Sequence, residues 1–157
     1  MIPTKVEIVR LEPMRVASTY GFGVNPEEKA WQNLVEWATP KGLLEDLAAH
    51  PIFGFNNPYP VQGNPKYGYE FWIKVGPEIE PDDGVRIEEF LGGLYAVARC
   101  EVRGHPEENI PEGWRSLVDW CKNNHHALGH HHALEKFLSS PADVNRLILD
   151  LCCPIIS

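Results

Sequence analysis

Residues 30–37 read AWQNLVEW and residues 113–120 read GWRSLVDW, so one short segment occurs twice in the chain. The two copies share both tryptophans, the Leu-Val pair between them and an acid directly before the second tryptophan. A strand-like apolar run precedes each copy, and a short strand-like piece that ends in proline follows each one. A period of about 80 residues is too long for a solenoid repeat, so duplication of a half-domain is the better interpretation.

The order of apolar runs around these copies predicts an α+β fold. Helical spacing of apolar residues predicts two helices, which begin at Pro26 and at about residue 111. We expect duplicated β-α-β-β modules with pseudo-twofold symmetry: an antiparallel sheet with two helices on one face and a ligand cleft on the other. The halves cover about residues 1–80 and 81–157 of a single domain, 1–157. Period-two patterns and aromatic or β-branched runs predict strands at 5–11, 14–22, 67–75, 85–90, 93–102, 132–138 and 147–153.

Composition and charge restrict the class of protein and its partners. The 14 Lys and Arg against 22 Asp and Glu give a formal net charge of −8, and the basic residues are scattered. Nucleic acid is therefore an unlikely partner, while cationic ligands are favoured. No run approaches the roughly 20 apolar residues that span a bilayer. Residues 1–7 lack the design of a signal peptide, so we expect a cytoplasmic protein with no membrane partner.

Cysteine and histidine patterns give no metal or cofactor site. Their spacing suggests no disulfide framework, so the four cysteines are predicted to be buried, reduced thiols. A histidine cluster lies close to Cys121, but its spacing matches no closed metal site and reads as a loop that binds metal incidentally. We therefore expect no native metal and no cofactor. The residues concerned are Cys100, Cys121, Cys152 and Cys153, and His125, His126, His130, His131 and His132.

Four motifs in register carry a resemblance to a known family over essentially the whole chain. They are GGLYAV at 92–97, the GWxxLxxW pattern at 113–120, ALEKFL at 133–138 followed by Pro141, and LDLCCPI at 149–155. The chain resembles the effector-binding domain family, which includes the gyrase-inhibitor-like (GyrI-like) proteins and the ligand-binding domains of AraC-type and MerR-type regulators. The stretch YGYEFW at 67–72 is similar to the middle strand of one subgroup.

The resemblance implies an aromatic-lined site at the junction of the halves, with an acid on the pocket floor that meets planar cations. In this chain the acid is Glu135, and the tyrosine usually found two residues later is Phe137, which removes a hydroxyl. An acid on an apolar strand face loses hydration, which suits a delocalised cation held between aromatic faces. The residues alone leave open an edge-strand glutamate that pairs with Lys136 or Lys74.

Further site residues come from the strand at 67–75. Glu70 and Trp72 share one of its faces and are expected to point into the same cleft. The alternative makes Trp72 a core residue and Glu70 a solvent-facing acid opposite Lys74. The helix tryptophans Trp31 and Trp114 are interpreted as core. The predicted ligand-binding residues are Glu135, Trp72, Glu70, Phe137, and, as weaker wall candidates, Tyr20 and Tyr95.

Two functions of different classes follow. The leading hypothesis is a stand-alone binding module for drug-like, planar, preferably cationic compounds, because the repeats leave no room for a helix-turn-helix. The alternative is a hydrolase, since some gyrase-inhibitor-like proteins open strained cyclopropane rings of natural products. Glu135 or Glu70 is then the general base. No partner protein is indicated by the sequence, gyrase included.

Overall fold

The structure, a computed structural model, describes residues 5–156; Met1 to Thr4, part of the segment judged unlike a signal peptide, lie outside the described residues. Within the described residues the chain forms eight β-strands and two α-helices. Their order is β1 (Val6–Leu11), β2 (Met14–Gly23), α1 (Pro26–Ala38), β3 (Ile52–Asn56), β4 (Tyr67–Lys74), β5 (Arg86–Phe90), β6 (Gly93–Glu101), α2 (Pro106–Asn123), β7 (Leu134–Phe137) and β8 (Ile148–Pro154).

The chain forms two compact units, each with four strands and one helix. The first unit comprises Met14–Phe90, and the second comprises residues 5–13 together with 91–156. Strand β1 precedes the first unit in the sequence but pairs with β6 of the second unit. Strand β5 directly precedes β6 but pairs with β2 of the first unit. Each strand is an edge strand of the unit that it joins. The halves predicted from the sequence divide near residue 80 and place β1 in the first half, whereas β1 pairs within the second unit. Apolar periodicity predicts a strand but not the strand with which it pairs. That residues 1–157 act as one domain stays a prediction.

In the first unit, an antiparallel sheet in the order β3-β4-β2-β5 carries α1 on one face. The hydroxyl of Thr19 donates a hydrogen bond to the carbonyl of Ala30 at 2.9 Å, which fixes the helix on the sheet. The rings of Trp31 and Phe71 lie 5.4 Å apart between the two layers. A Cβ at Gly21 would lie 2.3 Å from the carbonyl oxygen of Pro26, so only glycine fits beneath the start of the helix.

In the second unit, an antiparallel sheet in the order β1-β6-β8-β7 carries α2. Leu117 of the helix is fully buried, and Gly113 lets the helix approach Leu151 of β8 closely. The helix begins at Pro106, five residues before the expected start at 111. Pro106 occupies the first helical position, where a missing N–H has no cost, and Pro111 lies inside the helix.

The α+β class, the antiparallel sheets and the two helices of the expected fold are confirmed. The same element order occurs twice, with β2, α1, β3 and β4 of the first unit matching β6, α2, β7 and β8 of the second. In the described part of the chain, neither helix combines the length and the apolar character needed to cross a bilayer.

The duplication predicts equal costs at equivalent core positions. Leu34 of α1 and Leu117 of α2 are both 0% exposed, so truncation to alanine leaves a cavity in each unit. We expect Leu34→Ala and Leu117→Ala each to lower the free energy of unfolding by roughly 3 kcal/mol, measured by urea denaturation. Leu91, which is 86% exposed, is the control, and Leu91→Ala should change stability by less than about 0.5 kcal/mol. A large cost in one unit only would contradict the equivalence.

Candidate functional site

Glu135, the acid singled out by the sequence, lies half-buried in the middle of β7. Its Oε2 accepts a hydrogen bond from the indole Nε1 of Trp114 at 2.9 Å. Glu135 pairs with Leu151, which lies against α2, so the acid is on the helix-bearing face of its sheet. The predicted cleft, and Glu135 with it, was expected on the face away from the helices, whereas the acid lies on the helix-bearing face. Strand alternation separates the two faces of a strand but does not tell which one the helix covers.

The surroundings of Glu135 are apolar on its own face of the sheet. Phe137 follows two residues later on that face and is buried. Burial first, and then the negative charges of Glu135 and Glu101, raise the pKa of the Cys100 thiol. The charge of Glu135 is therefore felt by the neighbouring interior. Trp114, expected to be pure core, is half-buried and has its indole N–H engaged by the acid.

Glu70 of β4 lies on the opposite face of the first unit's sheet from α1. Its side chain is almost completely buried, so the alternative of a solvent-facing acid opposite Lys74 is wrong. Oε1 accepts hydrogen bonds from Ser18 Oγ at 2.8 Å and from a terminal nitrogen of Arg86 at 3.1 Å. Oε2 accepts one from the amide nitrogen of Asn57 at 2.7 Å. Three donors, one of them charged, offset much of the cost of removing this carboxylate from water.

A solvent-open pocket of about 440 Å³ opens above Glu70 within the first unit. It lies where the edge strand stops, since β5 pairs with β2 only as far as Ser18, whereas β4 continues along β2 to Gly23. Of the sequence-predicted site residues, Glu70 and Tyr20 meet in this pocket. The lining residues are Ser18, Tyr20, Asn33, Asn57, Glu70, Asp82, Gly84, Val85 and Arg86.

Three of the predicted ligand contacts are interior side chains in this structure. Trp72 is 2% exposed, with its ring centroid 4.9 Å from that of Phe55 and 5.7 Å from that of Phe90. Tyr95 is fully buried and its hydroxyl donates to the carbonyl of His132 at 2.6 Å. Burial, and then the two neighbouring thiols, raise the pKa of Tyr95. Phe137 is also buried. These three side chains pack in the interior and do not contact solvent.

Residues that sequence reasoning missed come from segments far apart in the chain. Ser18 and Arg86 reach Glu70 because β2 lies between β4 and β5. Asn57 reaches it from the other side, because it directly follows β3, which pairs with β4. A polar Ser18 within the apolar start of β2 was the one local signal. Trp114 was recognised as a helix residue, but its polar nitrogen was not given a partner. Because a buried indole N–H usually finds an acceptor, that nitrogen could have pointed to Glu135.

The cysteine prediction is confirmed, since all four thiols are free and buried. Of the histidines, His126 stacks on Trp120 with ring centroids 5.6 Å apart, and His131 meets Tyr95 edge to face at 4.8 Å. Over residues 5–156, no group of three or more His, Cys, Asp or Glu side chains is arranged to hold a metal ion.

Comparison with protein families gives one match over nearly the full chain. The family model of the GyrI-like small molecule binding domain matches residues 4–156. Among curated proteins, no sequence matches the chain significantly.

Several solved structures share the fold at low sequence identity. The EcmrR C-terminal domain aligns with a TM-score of 0.72 at 9% identity, covering 98% of this chain and 98% of its own. A hydrolase from Listeria innocua aligns with a TM-score of 0.70 at 12% identity, over 99% of this chain and 93% of its own. SAV2435 bound to tetraphenylphosphonium aligns with a TM-score of 0.57 at 9% identity, over 98% of this chain and 95% of its own. These likenesses establish the fold.

Burial makes the cysteine thiols slow to react and makes the stability of the fold sensitive to alkaline pH. Burial raises the pKa of Cys152 and of Cys153 from the ordinary 9.0 to about 12. Folded protein at pH 8 should therefore react far more slowly with a thiol-specific disulfide reagent than unfolded protein, in which all four thiols react.

The same shift fixes a pH dependence of stability. The unfolded chain loses these thiol protons near pH 9 and the folded chain near pH 12. The unfolded state then binds fewer protons, so the free energy of unfolding should be unaffected below pH 9 and fall as pH rises from 9 to 12. Urea denaturation across this range measures it. Cys152→Ala should reduce the slope, and an unchanged slope would count against the explanation.

Proposed function

We propose that this chain, which belongs to the family of GyrI-like small-molecule binding domains, captures planar organic cations with Glu135 as the electrostatic anchor. Small-molecule binding follows from the family, whereas the ligand class and the anchor are the new elements. The cation bound to SAV2435 in its structure, tetraphenylphosphonium, is aromatic and singly charged, with four rings arranged tetrahedrally around phosphorus. It supports an aromatic monocation as the ligand class, whereas the preference for planar cations is part of the proposal.

The observation that carries the proposal is the hydrogen bond between Trp114 and Glu135. The indole donor is neutral, so it fixes the position of the carboxylate without cancelling its charge. In a half-apolar environment the attraction between that charge and an incoming cation is less screened than in water. The ring of Trp114 also places an aromatic surface directly beside the acid, which suits a delocalised cation.

The charge of the whole chain fits the same ligand class. A formal net charge of −8 raises the local concentration of cations and lowers that of anions. The same charge is the basis for expecting no nucleic-acid partner, which stays a prediction, as does a cytoplasmic location.

Neutralising Glu135 should weaken cation binding selectively. We expect Glu135→Gln to raise the Kd for tetraphenylphosphonium at least tenfold, about 1.4 kcal/mol, in a tryptophan fluorescence titration. Binding of the neutral analogue triphenylphosphine oxide should change less than threefold. Trp114→Phe, which keeps a ring but removes the N–H, should give an intermediate loss.

Glu101 supplies the matched control, because it is an exposed acid of the same unit, paired with Arg103 at 3.0 Å. Glu101→Gln removes one negative charge and should leave the Kd within twofold. Equal losses in Glu101→Gln and Glu135→Gln would reduce the effect to general electrostatics. Undiminished binding by Glu135→Gln would rule out the anchor.

Hydrolysis of strained, cyclopropane-containing natural products is the second candidate, favoured by the acid Glu70 on the floor of a solvent-open pocket. The hydrolase from Listeria innocua shares the fold, but at 12% identity this supports no shared reaction. Ser18, Asn57 and Arg86 already donate to three of the roughly four acceptor positions of the Glu70 carboxylate, which leaves little of it to take a proton from an attacking water. Binding is the better-supported function.

A single-turnover assay separates the two functions. Mixed in excess with a cyclopropane-containing alkylating compound, the wild-type protein should bind it and return it intact, as followed by chromatography. Ring opening that is lost in Glu70→Gln or Glu135→Gln would establish the hydrolase in place of the binding module.

A further inference from the structure

We infer that the first unit carries a second binding site, built on Glu70 and specific for a small aromatic amine or amidine. All nine residues that line its pocket belong to the first unit, whereas Glu135 belongs to the second. The site is therefore a different one from the anchor proposed above, and it does not depend on that anchor.

The pocket has the size and rigidity of a small-ligand site. Its volume of about 440 Å³ lies at the lower end of the range in which proteins hold organic ligands. One wall is the turn between Asp82 and Val85, which is closed by two backbone hydrogen bonds between these residues, of 3.1 and 2.9 Å. Val85 is itself buried, so the turn is held against the unit rather than free to collapse into the pocket.

The polar groups of the pocket favour a ligand that donates hydrogen bonds. Ser18 and Asn57, which line the pocket, both donate their hydrogen bonds to Glu70. The groups that they have left for a ligand are acceptors, namely the lone pairs of Ser18 Oγ and the Oδ1 atom of Asn57. Two lining carboxylates, Glu70 and Asp82, stand against one lining cation, Arg86, so the formal charge of the lining is −1. An ammonium or amidinium group supplies both the donors and the missing positive charge.

Arg86 shows which kind of group Glu70 accepts at this position. Its side chain is 62% exposed, and one terminal nitrogen lies 3.1 Å from both Glu70 and Glu88. Arg86 remains largely in solvent and shares one nitrogen between two carboxylates, so it can leave Glu70 for Glu88 when another cation arrives. A ligand cation can take its place on Glu70 while Arg86 keeps Glu88. Arg86 lines the pocket and thus competes with a ligand cation for Glu70.

Tyr20 supplies the aromatic selectivity. It lies opposite Glu70 in the β2–β4 register, and its hydroxyl donates to the carbonyl of Asn57 at 2.8 Å, which fixes the orientation of the ring. The side chain remains 39% exposed, so part of the ring is open to a ligand beside the acid. A cation joined to an aromatic ring by a short linker can meet Glu70 with its charge and Tyr20 with its ring.

The test uses three probes of one shape and different charge: phenethylamine, 2-phenylethanol and phenylacetate. Isothermal titration of the wild-type protein should give saturable binding of phenethylamine, with the alcohol and the acid at least tenfold weaker. Tyr20→Ala and Asp82→Asn, both at exposed positions, should each weaken phenethylamine binding at least threefold. Glu70→Gln should weaken it at least tenfold.

Arg86→Ala gives a result that loss of folding cannot imitate. Removal of the internal competitor should raise the affinity for phenethylamine at least threefold, and this gain should vanish in the double variant with Glu70→Gln. If Glu70→Gln fails to fold, the gain in Arg86→Ala and the losses in Tyr20→Ala and Asp82→Asn still decide the question.

Glu135→Gln separates this site from the proposed function. It should leave phenethylamine binding unchanged while weakening tetraphenylphosphonium, so failure of either idea is visible without the other. Tighter binding of phenylacetate than of phenethylamine would make the pocket an anion site on Arg86 and overturn the inference. No binding of phenethylamine, or its loss in Glu135→Gln, would overturn it as well.

Discussion

A carboxylate removed from water has to be met by donors or by a positive charge, and both units of this chain carry such an acid. Glu70 receives three donors from Ser18, Asn57 and Arg86, which hold it in the interior of the first unit. Glu135 accepts a hydrogen bond from the indole N–H of Trp114, a donor that carries no charge of its own. The donors differ in kind: Glu70 is contacted by a charged, exposed arginine as well as by two neutral groups, and Glu135 is contacted by a neutral indole.

Elements were predictable from the sequence because their signals are local. The alternation in Tyr67–Lys74 identified both β4 and its two faces, and the Trp, Leu and Val spacing identified α1 and α2. Strand partners were not predictable, because β1 and β5 carry the same kind of pattern whichever strand they pair with. The start of α2 was misplaced for a local reason, since Pro106 and Pro111 are both acceptable first residues of a helix and the sequence alone does not choose between them.

The candidate site was predictable in its acids and not in its donors. Glu135 was recognised through the family resemblance, and Glu70 through the unusual mixture of residues on one face of β4. Ser18 and Arg86 reach Glu70 only through the pairing of Ser18 with Arg86 and of Tyr20 with Glu70, which is information about register. The same limit misplaced Glu135: its alternation with Phe137 was right, but the face covered by α2 depends on how the helix packs.

The two acids are not copies of each other, although the units are. Aligned on their first long strands, Val16-Ala17 with Val97-Ala98, the registers place Ile52 of the first unit at the position of Glu135. Ile148 of the second unit occupies the position of Glu70. At the position of each acid the other unit has an apolar residue. The buried helix position, in contrast, is leucine in both units, Leu34 and Leu117. Packing against the helix limits substitution at those leucines, because a lost methyl group there leaves a cavity. The acids lie where donors from other elements offset the cost of their burial: Ser18 of β2 and Arg86 of β5 for Glu70, and Trp114 of α2 for Glu135. The two units therefore keep a common core while their polar groups differ.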